Sequence, residues 1–326
     1  MKIKGLNLYI ILFLLCSLSS RASFVLLPME AEGQQNHLKA YGITYWALDK
    51  SYKVSWLLNY RGGSFLLPDA PEIRKECQIR GVTFEVLSDA ATNSILEDIS
   101  SPSQNMETVV LEKAPKIAVY TPKGKQPWDD AVTMVLTYAE IPYTEIYDEE
   151  VLSDQLLLYD WLHLHHEDFT GQYGKFFGNY RSTPWYIQQK ADAEALAKKL
   201  GYNKVSEEKL AVAKKIRDFV IGGGFMFAMC SATDSFDIAL SAEGVDICEP
   251  MFDGDDSDAN YQTQIDYSNT FAFKDYTLVR NPMVYEFSDI DTTEEHGKGA
   301  FTMDKDYFTL MEYSAKWDPI PTMLCQ

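Results

Sequence analysis

The chain has 326 residues, 46% of them apolar, enough for a buried core in one large domain or two modest ones. Acidic residues outnumber basic ones 48 to 29, and the net charge of −19 sets the surface against nucleic acid and anionic lipid. Aromatic side chains are abundant, 20 Tyr and 17 Phe, which suits a sheet-rich protein better than a plain helical bundle.

Residues 1–22 read as an export signal. Lys2 and Lys4 give a basic start, residues 6–18 are apolar except Asn7 and Ser17, and small residues lead up to Ala22. The apolar run is short for a spanning helix, which needs about 20 residues. The expectation is an exported chain, periplasmic or on the cell surface, that touches membrane only through this signal. Cleavage after Ala22 removes Lys2, Lys4 and Arg21 and no acid, and takes the net charge from −19 to −22. Four cysteines then remain, Cys77, Cys230, Cys248 and Cys325. An even count in an exported chain invites disulfides, but a nucleophilic Cys230 would have to stay reduced.

Residues 23–113 form an N-terminal α+β region. "FVLLPM" and "VSWLLNYRGGSFLL" predict strands, the second turning at Arg61-Gly62-Gly63. "APEIRKECQIRG" predicts a helix that buries Ile73 and Cys77 and ends on Gly81, and "VTFEVLS" predicts a strand. The polar, Pro-containing residues 100–108 suit a boundary.

Residues 114–326 alternate strands and helices, then end in a C-terminal extension. Strands are expected at 115–121, at "PYTEIYD", over 159–168 and at "FMFAM". Helices are expected at "PWDDAVTMVLTYAEI", at "WYIQQKADAEALAKKLG" with an apolar stripe of Ile187, Ala191 and Ala195 four apart plus Leu196 and Leu200, and from a Ser206 cap to Gly222. A further helix follows Cys230, and strand-like pieces recur after Ala259. This alternation implies an α/β fold with a mainly parallel sheet covered on both faces, three layers in all. In such sheets function gathers at the carboxyl ends of the strands.

Two constellations fall there. In Ala228-Met229-Cys230-Ser231-Ala232 small residues flank a cysteine at both ±2 positions, as a tight strand-to-helix elbow requires. Cys230 at a helix N-terminus would favour its thiolate, and the Ser231 N–H would face a developing oxyanion. A buried core cysteine at a strand end fits the same spacing. The second constellation is His163, His165, His166, Glu167 and Asp168, which holds three of the five histidines of the chain. A histidine here could serve Cys230 as base, with Glu167 or Asp168 orienting it; the cluster could hold a metal; or the histidines could be structural. No further ligand pair with metal spacing accompanies it, so no metal or cofactor is assigned. The acidic "DGDDSDAN" (253–260) places Asp258 and Gln264 where a calcium loop of the EF-hand type needs Gly and Glu, and reads as a solvated loop.

At the strand–cysteine–helix unit and at "YDWLHLHHEDF", residues 114–250 resemble the class I glutamine amidotransferase-like superfamily. The resemblance implies a flavodoxin-like sheet with the cysteine on an elbow. Over its whole length, including "HLKAYGITYW" and "LHLHHEDFTGQYGKF", the chain resembles an exported bacterial family labelled asparagine synthetase B. That label implies ATP-driven amidation of aspartate, and its residues are missing: Lys2 follows Met1, and no Ser-Gly-Gly-Leu-Asp-Ser loop is present. The amidotransferase pattern departs too, with alanines for the elbow glycines and no His-x-Glu after the cysteine. Two functions follow. One is a cysteine hydrolase or amidase using Cys230, a histidine of the 163–166 cluster, Glu167 and the Ser231 N–H. The other is a non-catalytic protein whose cleft, lined by His163, Asp168, Trp128, Phe169 and Tyr173, binds a small-molecule amide, a sugar or a peptide.

Overall fold

The computed structural model describes residues 23–122 and 131–290, which form two compact units. The chain passes from one to the other between Ala114 and Pro115, and Tyr138–Ile141 belongs with the first.

The first unit is a five-stranded antiparallel sheet in the order β4-β1-β3-β2-β5. Its strands are β1 (Ser23–Leu27), β2 (Val54–Leu58), β3 (Phe65–Pro68), β4 (Glu85–Ser88) and β5 (Glu107–Leu111). Alternation along the strands divides its apolar side chains between two faces. Val25, Leu27, Phe65 and Leu67 pack on helices α1 (His37–Asp49) and α2 (Pro71–Arg80), through Ile43, Ala47, Ile73 and Cys77. Leu26, Leu57 and Leu66 pack on Ile99 of α3 (Asp89–Ser100). The expected turn joins β2 to β3, and Gly62 needs to be glycine: its φ is 77° and a Cβ would lie 2.5 Å from the Met29 backbone. Helices α1 and α3 and strand β5 are additions to the sequence reading.

The second unit is a parallel four-stranded sheet in the order β7-β6-β8-β9. Strand β6 (Ile117–Tyr120) leads through α4 (Ala131–Ala139) to β7 (Tyr143–Ile146). Helix α5 (Asp148–Leu152) leads on to β8 (Trp161–Leu164). The long crossover then carries α6 (Pro184–Lys199) and α7 (Val205–Ile221) before β9 (Phe225–Ala228) and α8 (Ser231–Ser241). Ala118, Tyr120, Leu162 and Leu164 point to one face and meet Val212, Ile216 and Phe219 of α7 and Phe236 and Leu240 of α8.

Several expectations are corrected. The opposite face is open along edge strand β9, where Phe225 is 58% and Phe227 44% exposed, so cover on both faces does not extend to this edge. Strand β8 stops at Leu164, four residues short of the predicted end. Helix α6 buries Tyr186 and Ala197 and leaves Ile187 exposed, so its inward face is turned from that apolar stripe. Lys204, not Ser206, is the N-cap of α7, and Ser206 lies inside the first turn. Of the strand-like pieces after Ala259, the described residues contribute the isolated bridge Leu278–Ser288. Residues 1–22, Trp128, His296 and Cys325 lie outside the described residues.

A buried charge ties α7 to the ends of β6 and β7. The Lys209 ammonium donates to both Asp148 oxygens, at 2.7 and 2.6 Å, and to the Tyr120 and Tyr147 hydroxyls, at 3.0 and 3.1 Å. Tyr120 also donates to Asp148. Burial raises the neighbouring Glu208 carboxyl above the usual carboxylate range. Lys209→Met strands a buried carboxylate and should cost about 3–5 kcal/mol in urea unfolding. The double variant with Asp148→Asn should recover part of that loss; equal losses in single and double would show that the pair is not the source.

Candidate active site

Strand β9 becomes helix α8 with no spare residue. The Met229 N–H still donates to Leu164 O at 3.1 Å, continuing the β8–β9 ladder. The helix is already under way at Ala232, whose N–H donates to Met229 O, and at Thr233, whose N–H and hydroxyl both donate to Cys230 O. Cys230 takes the whole change of direction, at φ 51° and ψ −141°. A non-glycine residue rarely adopts this left-handed backbone, and such strain gathers at functional sites. Ala232 is fully buried under the helix, which explains the small residue two positions on. Cys230 itself is exposed with a free thiol; Cys77 and Cys248 are free and buried. Burial pushes the Cys77 thiol up to about 12 and Cys248 well above its ordinary value. Among the described residues the elbow cysteine is therefore the accessible one.

The histidine cluster lies beside it. Strands β8 and β9 pair Leu164 with Ala228, so His166 and Cys230 each lie two residues beyond a paired position. Two hydroxyls of α8 fasten the loop after β8. Ser231 Oγ donates to His166 O at 2.9 Å, and Ser235 Oγ donates to Glu167 O at 3.0 Å. The His165 and His166 rings meet through their Nδ1 atoms at 3.1 Å. For that contact one nitrogen donates and the other accepts, and which does which depends on the tautomer. The Glu167 carboxylate accepts the His165 N–H at 2.9 Å, which ends the strand.

A cleft of about 370 Å³ opens at the carboxyl ends of β6, β7 and β8. Strand order reverses between β6 and β8, and ligands of open α/β sheets bind at such switch points. Its lining includes Tyr147, His166, Glu167, Asp168, Tyr173 and Lys209. Cys230 is not part of this lining. The loop that carries Tyr173 is unusually strained, with Tyr173, Gly174 and Lys175 all at positive φ. Asp168 pins it, accepting from Thr170 N–H and hydroxyl at 2.6 Å and from Gly174 N–H at 3.0 Å. Lys175 anchors its far end by donating to Val279 O at 2.7 Å. Burial lowers the Lys175 ammonium to about 8, against the pull of Asp168, Glu249 and Glu286.

The structure thus brings Cys230, Ser231, His165, His166 and Glu167 to adjacent strand ends, and places Asp168 and Tyr173 in the cleft wall. It removes two residues from the expected binding set. Phe169 is wholly buried, stacked on Tyr120 and edge-on to Phe236, because the chain turns inward there under α8. His163 is buried on the sheet face against Phe227, since its place within β8 fixes its direction. The wall formed by Trp185, Gln188 and Asp192 of α6 was not anticipated, since polar positions on a helix read as a solvated face. The acidic loop is organised around Lys204, whose ammonium meets Asp246, Asp253 and Asp255 at 2.5, 3.0 and 2.6 Å. Asp246, Cys248 and Asp253 bring ligand atoms within 4.8 Å of one another, but Lys204 holds both carboxylates.

No protein-family model, curated protein or solved structure matches the chain.

Two outcomes test this geometry. Cys230→Gly should keep or gain up to about 1 kcal/mol, while Cys230→Val should lose about 2 kcal/mol or more, both read from urea midpoints. Between pH 8 and 10.5 the unfolded chain keeps a proton that folded Lys175 has released, so stability should rise with pH across that window. Lys175→Met should flatten the rise.

Proposed function

We propose that the chain is an exported cysteine-dependent hydrolase or amidase of the glutamine amidotransferase-like type. The observation that carries this reading is the left-handed backbone of an exposed cysteine at the β9–α8 junction. The strand order supports it, since β7-β6-β8-β9 corresponds to the first four strands of the flavodoxin order 2-1-3-4-5. An asparagine synthetase activity has no support in these residues.

In this reading a histidine of the 165–166 pair takes the Cys230 proton, and the thiolate attacks the carbonyl carbon of an amide or ester. The Ser231 N–H, first in its helix and so without an intrahelical acceptor, donates to the oxyanion. Collapse breaks the carbonyl–nitrogen or carbonyl–oxygen bond, and the imidazolium returns its proton to the leaving group. Water, deprotonated by the same histidine, then hydrolyses the thioester to an acid and the free thiol. Glu167 holds the main chain of His165 and so positions the pair.

A second reading, a non-catalytic protein that binds a small molecule or peptide, is favoured by one observation: the cleft lining omits Cys230. Alkylation rates across pH separate the two. The hydrolase reading expects a fast phase of alkylation at Cys230 that His166→Ala slows. Cys230→Ala should abolish the fast phase. An ordinary thiol profile, unmoved by His165→Ala or His166→Ala, would leave the binding reading.

A further inference from the structure

We propose that the switch-point cleft is a site for a neutral carboxamide, whose carbonyl oxygen accepts the Tyr147 O–H. The inference rests on reading the cleft as the ligand site and not on the chemistry of Cys230. The Lys209 network has one proton left over. Its ammonium donates to both Asp148 oxygens and to the Tyr120 and Tyr147 hydroxyls. An ammonium has no lone pair, so each phenol must send its own proton elsewhere. Tyr120 sends its proton to Asp148. Tyr147 accepts from Lys209 at 3.1 Å, and among the described residues no acceptor takes its proton. Tyr120 and Asp148 are buried, whereas Tyr147 and Lys209 both line the cleft. The uncommitted proton therefore lies where the network meets the cleft.

Its setting makes this O–H a strong donor. A hydroxyl oxygen that already accepts from an ammonium is polarised, and linked hydrogen bonds strengthen one another in a buried site. The ring is also held in place: Lys209 Nζ lies 4.3 Å from its centroid, and the Tyr120 ring 5.0 Å. A donor fixed before the ligand arrives loses little freedom on binding. The acceptor it suits is neutral. Asp148 already matches the Lys209 charge, and the carboxylates of Asp168 and Asp192 on the walls disfavour an anion. A carboxamide answers both sides, since its oxygen accepts from the phenol and its N–H groups donate towards carboxylates. The aromatic wall of Tyr173, Phe176 and Trp185 suits a flat apolar substituent, and a volume of about 370 Å³ holds a small molecule.

The test is calorimetric titration with benzamide, with thiobenzamide and benzoate as comparators. Benzamide should bind, and thiobenzamide, of the same shape with a poorly accepting sulfur, about 10-fold more weakly. Benzoate should be weaker than benzamide. Tyr147→Phe should weaken benzamide by a similar factor and leave thiobenzamide nearly unchanged. Tyr120→Phe disturbs Lys209 equally but removes no donor from the cleft, so benzamide should bind it as it binds the wild type. The carbonyl stretch of bound benzamide should fall in the wild type and not in Tyr147→Phe, a shift that a merely structural tyrosine does not produce. Equal binding of benzamide and thiobenzamide, equal loss in Tyr147→Phe and Tyr120→Phe, or no benzamide binding at millimolar concentration would each overturn the proposal. The ligand series on the wild type decides it even where a variant fails to fold. Binding is read here and thiol reactivity in the alkylation test, so the two failures are separate results.

Discussion

The carboxyl end of the second unit's sheet hangs on the Lys209 ammonium. Removing an ammonium and a carboxylate from water costs several kcal/mol each, and direct contact recovers that only where the remaining donors and acceptors are filled. Here they are: Lys209 reaches both Asp148 oxygens and two tyrosine hydroxyls, and Tyr120 gives its own proton to Asp148. The pair joins the ends of β6 and β7 to the second turn of α7. Since α7 runs straight on to Phe219, its position also fixes the turn into β9. Gly224 packs there so closely that a Cβ would lie 2.2 Å from the Phe219 ring. One buried charge thus sets both the floor of the cleft and the approach to Cys230.

The strain at Cys230 is held from both sides. Behind it, the β8–β9 ladder runs to Met229; ahead, α8 buries Phe236 and Leu240 and fastens Ser231 and Ser235 to the loop after β8. A left-handed non-glycine residue costs of order 1–3 kcal/mol, and burial of two large apolar side chains, at about 1.5–3 kcal/mol each, outweighs it. An alternative turn would have to slide α8 along the sheet and lose those hydrogen bonds. The junction is therefore over-determined, the condition under which a strained backbone persists.

Legibility in the sequence followed how local each feature is. The parallel strands of the second unit were plain as short apolar runs between helices, and the elbow showed in small residues around one cysteine. Helix α1 was not seen, since "HLKAYGITYWALD" mixes Gly42 with aromatic and β-branched residues that weaken any periodic signal. Strand β8 was read too long because the capture of the His165 N–H by Glu167 is a side-chain event that no periodicity records. Alanines four apart on α6 look like a buried stripe, yet Ile187, Ala191 and Ala195 are exposed, and Tyr186 and Ala197 decide the packing. The histidines and Asp168 stand out in the sequence by type alone, and so does Phe169, which the fold buries: an aromatic beside polar residues fits cleft and core equally. Trp185 and Asp192 reach the cleft only through the tertiary placement of α6.

His166 is the residue common to the elbow and the cleft. Its carbonyl receives Ser231, its ring pairs with His165, and its side chain faces the cleft. Ser231 and Ser235 of α8 fasten the main chain of His166 and Glu167, and both of these residues line the cleft. The helix that closes the elbow therefore also holds one wall of the cleft, so a change that shifts α8 reaches the thiol and the cleft through the same stretch of backbone.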